Sequence, residues 1–289
     1  MIYKKIIRKV LRARDNESIR DAFLRNKIKI DKHIYKNRYE VDELQSILVK
    51  AGIKNGDALL VHCSWRNMYN FVGTPNDVID LLQRIVGKSG TLLMPSYGED
   101  RYFFDMDNSP SAAGVLSEVF RKTDGVVRSA CTHFSVAGIG NDIDYLLSEH
   151  RFSQYGFDQY SPCYKLALHP HGKVLFLGLG REPTKISIFH CAGALLRNSD
   201  FKLQKLLSNT YESVLVNQGQ RINKLMYIRQ PGHKNNNRVF KQIFRQIDSK
   251  SQIKISNLDV VVIDAREALE KALQFASEGK YIYKNMSKL

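Results

Sequence analysis

The sequence predicts an α/β fold: a single three-layer domain, with a mostly parallel or mixed sheet and helices on both faces. Three observations carry this. Between residues 57 and 95 the pattern runs strand, helix, strand, the order of a parallel, right-handed crossover. Residues 173–180 are an apolar run closed by glycine, followed by the polar turn 181–185 and a helical pattern over 187–197. Such a run reads as a strand buried on both faces. Residues 260–264 and 265–278 repeat strand-then-helix near the end. The 289 residues are 43% hydrophobic, enough for one large core or two small lobes.

In order, residues 1–14 place Ile2, Tyr3, Ile6, Ile7, Val10 and Leu11 opposite Lys4, Lys5, Arg8, Lys9 and Arg12. This is a short basic amphipathic helix. It can dock on the body or lie on an anionic membrane surface, and docking is the default because one short helix anchors weakly. Residues 15–40 read as a helix and a connector. Residues 1–40 therefore form a basic helical extension, and residues 41–289 the α/β domain. Residues 41–51 are an amphipathic helix ended by Gly52. Residues 57–63 are a strand, and Ser64 opens a loop containing Gly73 and Thr74. Asn76 or Asp77 caps a helix over 78–86, and 90–95 form the second strand. A loop rich in acids and aromatics follows, with Glu99, Asp100, Asp105 and Asp107. Residues 113–121 are helical, 126–129 lead into an extended run over 131–138, and a helix lies near 142–149. Ser161 and Pro162 introduce a helical turn through Leu166. Thr184 or Ser187 caps the next helix, with His190 one turn inside it. Residues 201–228 alternate in short strand-like runs.

The formal charge of +15 is uneven. Residues 1–40 hold 13 Lys/Arg against 5 Asp/Glu, and residues 221–254 hold 9 against 1, so each segment carries +8. Such segments can bind anionic lipid, nucleic acid or a phosphorylated substrate, or be solvated faces. No nucleic-acid motif or interleaved stacking pattern is present, so nucleic acid is not expected. No apolar run reaches the roughly 20 residues of a membrane span, and no signal-peptide pattern is visible. The expected location is cytoplasmic, with peripheral contact to the inner membrane face as an option. Cys63, Cys131, Cys163 and Cys191 lack metal-ligand spacing and read as reduced thiols.

His190 follows a central strand, where open α/β sheets place ligand crevices, and can serve as a general base. Its bland alternative is a hydrogen-bonded core histidine. Cys191 points about 100° away from His190 on a helix, which suits an inert buried thiol better than a nucleophile. Cys131 reads as a small core residue. His169 and His171 read as surface residues, with no further ligands near enough in sequence to suggest a metal.

Six motifs occur together in order: His62-Cys63-Ser64, residues 90–95, residues 114–121, Arg128-Ser129 with Ser135-Val136, Ser161-Pro162 with Lys165-Leu166, and Leu177-Gly178 followed by Ser187 and His190. This series resembles the aminoglycoside 3-N-acetyltransferase family over roughly residues 41–196. The resemblance implies an aminoglycoside 3-N-acetyltransferase-like fold and acetyl transfer from acetyl-coenzyme A to an amine, with no metal. It implies a catalytic His190, acting as general base, with Ser187 beside it. It places coenzyme near His62, Ser64, Arg128, Ser129 and Ser135, whose hydroxyls and guanidinium suit pyrophosphate and a developing oxyanion. The bland reading of each serine is turn or strand-end capping.

The sequence departs from the family pattern twice. Gly193 stands where a glutamate usually follows the histidine by three residues, on the same helix face. Cys131 and Thr132 stand where His-Pro usually follows Arg-Ser, and His133 could substitute by a two-residue shift along a strand. The expected partner is a small-molecule amine, an amino sugar. Glu99 and Asp105 are candidates to bind a cationic acceptor. The basic segments instead favour an anionic acceptor, such as a nucleotide- or lipid-linked amino sugar of surface polysaccharide, over an antibiotic-resistance substrate. A catalytically degenerate scaffold acting through its basic segments is the alternative. A dimer is open.

Overall fold

The apolar run 58–63 forms the central strand of a seven-stranded sheet in this computed structural model, which describes residues 2–289. In chain order, α1 (Ile2–Val10) and α2 (Ile19–Ile34) precede α3 (Val41–Lys50). Then come β1 (Ala58–Cys63), α4 (Pro75–Val86), β2 (Thr91–Pro95), β3 (Phe103–Asp105) and α5 (Val115–Phe120). They are followed by β4 (Val127–Arg128), β5 (Val136–Gly140), α6 (Ile143–Leu147), α7 (Pro162–Leu168), β6 (Gly172–Leu177) and α8 (Phe189–Leu195). The rest is α9 (Phe201–Leu206), β7 (Asn209–Asn217), β8 (Gln220–Ile228), α10 (Asn237–Arg245), β9 (Ser251–Ile255), β10 (Leu258–Asp264) and α11 (Ala265–Ser277).

The sheet order is β4-β5-β2-β1-β6-β10-β9. β1 is parallel to both β2 and β6, and the flanking pairings are antiparallel. The expected mixed sheet therefore has a parallel centre of three strands. Side chains alternate across it. Leu60, Val174, Phe176, Val261 and Ile263 pack on one face with residues of α7, α8, α10 and α11. Leu59, Val61, Leu175, Val260 and Val262 pack on the other with residues of α3, α4 and α5. Two apolar layers against one sheet make the three-layer architecture.

Several local expectations are corrected. Thr74, not Asn76 or Asp77, caps α4: its hydroxyl accepts from Asp77 N–H at 3.3 Å, and the Asp77 carboxylate accepts in return from Thr74 N–H at 2.6 Å. Pro75 at the first helical position, where its missing N–H costs nothing, shifts the start towards the N-terminus. Residues 201–206 are helical, started by Asp200, whose carboxylate accepts from two backbone N–H groups. Residues 209–228 form one long hairpin, not short runs, and join β3 in a second, three-stranded sheet. That small sheet lies outside the three layers and forms part of the wall of the pocket described below. No helix among the described residues is long and apolar enough to cross a membrane.

The extension behaves differently from the expected docked helix. Tyr3, Ile6, Ile7 and Val10 remain exposed rather than buried on the body.

Candidate active site

β1 and β6 are adjacent and parallel, and the chain leaves β1 towards β2 on the other side. Such a switch point opens a crevice at the carboxyl ends of the strands. Two bonds join the loops that leave β1 and β6: Ser64 N–H donates to Leu177 O at 2.9 Å, and Asn67 Nδ2 donates to Gly178 O at 2.6 Å. Gly178 has φ +69°, and a Cβ there would come within 2.9 Å of Asn67 Cβ, so only glycine lets the two loops meet.

A cavity of about 890 Å³ opens beside these strand ends, lined there by His62, Cys63 and Leu179. His62, Ser187 and His190 all line it. His190 is the second residue of α8, not one turn inside, and Ile188 occupies the cap position without a side-chain bond, so neither Thr184 nor Ser187 caps the helix. The His190 ring lies among Phe157, Phe240 and Tyr283, at centroid distances of 5.1, 5.7 and 5.7 Å. Its Nδ1 is 3.0 Å from Tyr283 Oη. Burial, aided by the positive charge of Arg229, pushes the His190 pKa down to about 3, so the imidazole is neutral near pH 7. His62 ends β1, stacks on Phe176 at 5.4 Å, and is lowered to about 4 by burial and then by Lys185. Its Nε2 is buried without a protein partner.

Tyr283 is the residue that sequence reasoning missed. It arrives from the C-terminal tail, which pairs with residues 234–236 through Lys284 N–H to Lys234 O at 2.8 Å and Asn236 N–H to Ile282 O at 2.7 Å. Its ring covers Gly193, where an added Cβ would meet the phenol at 3.4 Å. The Arg229 guanidinium lies over the Tyr283 ring, 5.3 Å from its centroid, and donates to Asn235 Oδ1 at 2.6 Å. Gly193 therefore gives room to a phenol that supplies the imidazole's hydrogen-bond partner. No pattern in the sequence links positions 93 residues apart.

His133 also lines the cavity, with Nδ1 3.2 Å from Tyr211 Oη. Arg101, Lys185, Arg229 and Lys234 contribute positive charge to the lining, and no Asp or Glu lines it among the described residues. Tyr97, Tyr155, Tyr211 and Tyr227 add aromatic surface.

Other expected residues are placed elsewhere. Arg128 is 8% exposed, donates to Met106 O, Ser109 O and Ser96 O, and lies over Phe104, so its guanidinium ties loops together behind the cavity. Ser129 Oγ accepts from Val136 N–H at 2.9 Å and lies 2.8 Å from His150 Nδ1, while Ser135 Oγ donates to Ser129 O at 2.8 Å. Both hydroxyls are buried in this network and neither residue lines the cavity. Ser64 bonds through its backbone N–H to Leu177 O and is not part of the lining. Glu99 is exposed and Asp105 folds back on Asn108, away from the lining. His169 is not a free surface residue: its Nε2 lies 3.2 Å from Asp142 Oδ2. The cysteines are unpaired, and burial holds the Cys131 thiol at about 11 and Cys163 at about 12.

Residues 60–276 match the family model described as aminoglycoside 3-N-acetyltransferase. The chain is 34% identical over 145 residues to aminoglycoside N(3)-acetyltransferase IV of Salmonella sp, a match covering 48% of this chain and 54% of that protein. It is 25% identical over 198 residues to aminoglycoside N(3)-acetyltransferase IX of Micromonospora chalcea, covering 61% and 67%. The match thus spans about half the length of the Salmonella relative. In three dimensions the chain is similar to AAC-IIIb in its binary complex with CoASH, with a TM-score of 0.71 and 21% identity over 84% of this chain and 98% of that one. Aminoglycoside acetyltransferase AAC(3)-Xa gives a TM-score of 0.72 and 21% identity, covering 89% and 99%. AAC-VIa bound to sisomicin gives 0.70, at the same 21% identity, covering 84% and 99%.

Proposed function

Because the chain belongs to the aminoglycoside 3-N-acetyltransferase family, we propose that it transfers acetyl from acetyl-coenzyme A to the amine of an anionic amino sugar, with His190 as general base. One observation carries the choice of acceptor: His190 shares its cavity with Arg101, Lys185, Arg229 and Lys234 and with no carboxylate among the described residues. A polycationic aminoglycoside would meet like charge there. A phosphate-bearing amino sugar and the coenzyme's own phosphates would meet charge-assisted donors.

The chemistry follows from the groups present. An ammonium has no lone pair, so the amine must be neutral to attack the thioester carbon. A C–N bond forms, the C–S bond breaks, and the amine proton passes to His190 Nε2 and on to the departing sulfur. This requires Nδ1–H to donate to Tyr283 Oη, leaving the Nε2 lone pair bare. A positioned base contributes about 10²- to 10⁴-fold, and holding both substrates in one cleft adds a proximity effect. An imidazole near pKa 3 is a weak base at rest. Arg229 is one cause of that weakness, and an anion bound to its guanidinium offsets that part and raises the basicity. Anionic ligands thereby favour both binding and proton transfer. His62 and Lys185 line the same cavity, and an imidazole and an ammonium suit a thioester oxygen or a coenzyme phosphate. The geometry offers no reason to prefer a degenerate scaffold, since the imidazole is placed, neutral and partnered.

The test is steady-state acetylation of nucleotide-linked amino sugars and of aminoglycosides in parallel. Turnover of the anionic class, abolished in His190→Ala, is expected. Efficient turnover of aminoglycosides with none of the anionic class would overturn the acceptor assignment. Undiminished turnover in His190→Ala would overturn the base.

A further inference from the structure

We propose that the N-terminal helical hairpin is a docking surface for an anionic lipid bilayer. The hairpin is internally stapled. The Arg8 guanidinium donates to the carbonyls of Glu17, Arg14 and Asp15 at 2.6, 2.6 and 2.9 Å. Arg25 pairs with the Glu17 carboxylate at 2.9 Å and donates to Arg12 O at 2.8 Å. Asn26 Nδ2 donates to Leu11 O at 2.7 Å. These bonds hold α1 against the start of α2 and spend the polar groups of the turn inside the hairpin.

The apolar side chains are left open. Ile6, Ile7, Val10, Leu11, Ile19 and Phe23 line a shared groove, yet Val10 is 75% and Phe23 56% exposed. Ile30 and Ile34 continue the Phe23 stripe at spacings of seven and eleven residues and are exposed too. At about 100° per residue, the apolar residues of α1 fill one half of the helix and Lys4, Lys5, Arg8 and Lys9 the other. An interfacial helix needs this division: an apolar half for the acyl boundary and cations at headgroup level.

Charge selects among occupants. A second copy would bring another segment of +8 against this one, and like charges at close range repel. An anionic bilayer supplies an apolar interior and negative headgroups together. Two apolar stripes on one rigid hairpin also answer the weakness of a single short helix. This assignment is independent of the acetyl-transfer reading.

The experiment uses the full chain and co-sedimentation with vesicles of phosphatidylcholine alone, or with an equal part of phosphatidylglycerol. Binding to the anionic vesicles, weakening as salt rises, is expected, with little to the neutral ones. Lys4→Gln and Lys9→Gln should each weaken it about fivefold. Val10→Asp and the uncharged Val10→Ser should weaken it with an unchanged far-ultraviolet spectrum. Absence of binding to anionic vesicles, or equal binding by Val10→Asp, would overturn the proposal. So would a dimer seen by light scattering that Val10→Asp disperses while the parent chain ignores vesicles, because the face would then belong to a second copy.

Discussion

Residues 1–40 and 221–254 carry the same net charge of +8, but the fold uses them differently. In the second segment, Phe240, Ile243 and Phe244 of α10 are buried in the main core. That anchoring delivers Arg229 and Lys234 to the cavity wall and sets Lys241 and Arg245 beside Glu182, at 3.2 and 2.6 Å. In the first segment the apolar residues of α1 find no such core, and its cations stay at the periphery. The role of a basic segment is therefore set by where its apolar neighbours are buried. One segment brings charge to a site, and the other presents charge and apolar surface together.

The largest effect should separate the cavity from the hairpin. His190→Ala is expected to lower kcat by about 10²- to 10⁴-fold while vesicle binding and calorimetric coenzyme binding stay near those of the parent chain. Arg229→Ala comes next. Losing a charge-assisted donor should weaken the anionic ligand about ten- to a hundredfold, measured as acceptor KM or coenzyme Kd. It also removes a cause of the low His190 pKa, so the acid limb of the pH–rate profile should move to higher pH.

Acidification sharpens the contrast through stability. His62, His133, His150 and His190 have folded-state values of about 4, 4, 3 and 3, below the usual 6.5. Between pH 6.5 and these values the unfolded chain binds more protons, so stability falls as pH falls through that window. For the fully buried His150 the slope is about 1.4 kcal/mol per pH unit. Urea midpoints at pH 7 and pH 5 measure the fall, and a flat profile contradicts it. A smaller effect is expected for Tyr283→Phe: kcat down about tenfold, the order of one lost hydrogen bond, with KM little changed and the His190 tautomer altered in nitrogen NMR. A phenol can donate or accept where a carboxylate only accepts, so Tyr283→Ala combined with Gly193→Glu should restore activity and raise the His190 pKa. The smallest effect belongs to the hairpin: Val10→Asp should change stability by no more than about 0.5 kcal/mol and leave acetyl transfer unaltered.

Particular residues show how much was legible. The runs 58–63, 172–177 and 258–264 are apolar, short and bounded by turns, so the sheet's centre and its covering helices can be read directly. The second sheet could not be, because β3 has three residues and its partner β7 begins about a hundred positions later. His190 was legible from its place after a central strand, where a parallel sheet opens a crevice, and His62 and Ser187 only through the family resemblance; all three line the cavity. Arg128 and Ser129 sit in the same kind of motif, yet their polar atoms are turned to carbonyls and to His150. Whether a motif's side chain faces a cavity or a neighbouring loop depends on the loop's path, which spacing does not encode.

The sequence by itself determined the main strands and helices of the three-layer domain, the parallel crossover, the family pattern and the two basic segments, because periodicity and composition are local properties. Tertiary structure alone decided that Tyr283 lies over Gly193 and partners His190, that four cations and no carboxylate among the described residues line the cavity, and that the N-terminal apolar face stays open. Each of these is a meeting, or a failure to meet, between groups far apart in the chain. It is fixed only when the whole core has closed.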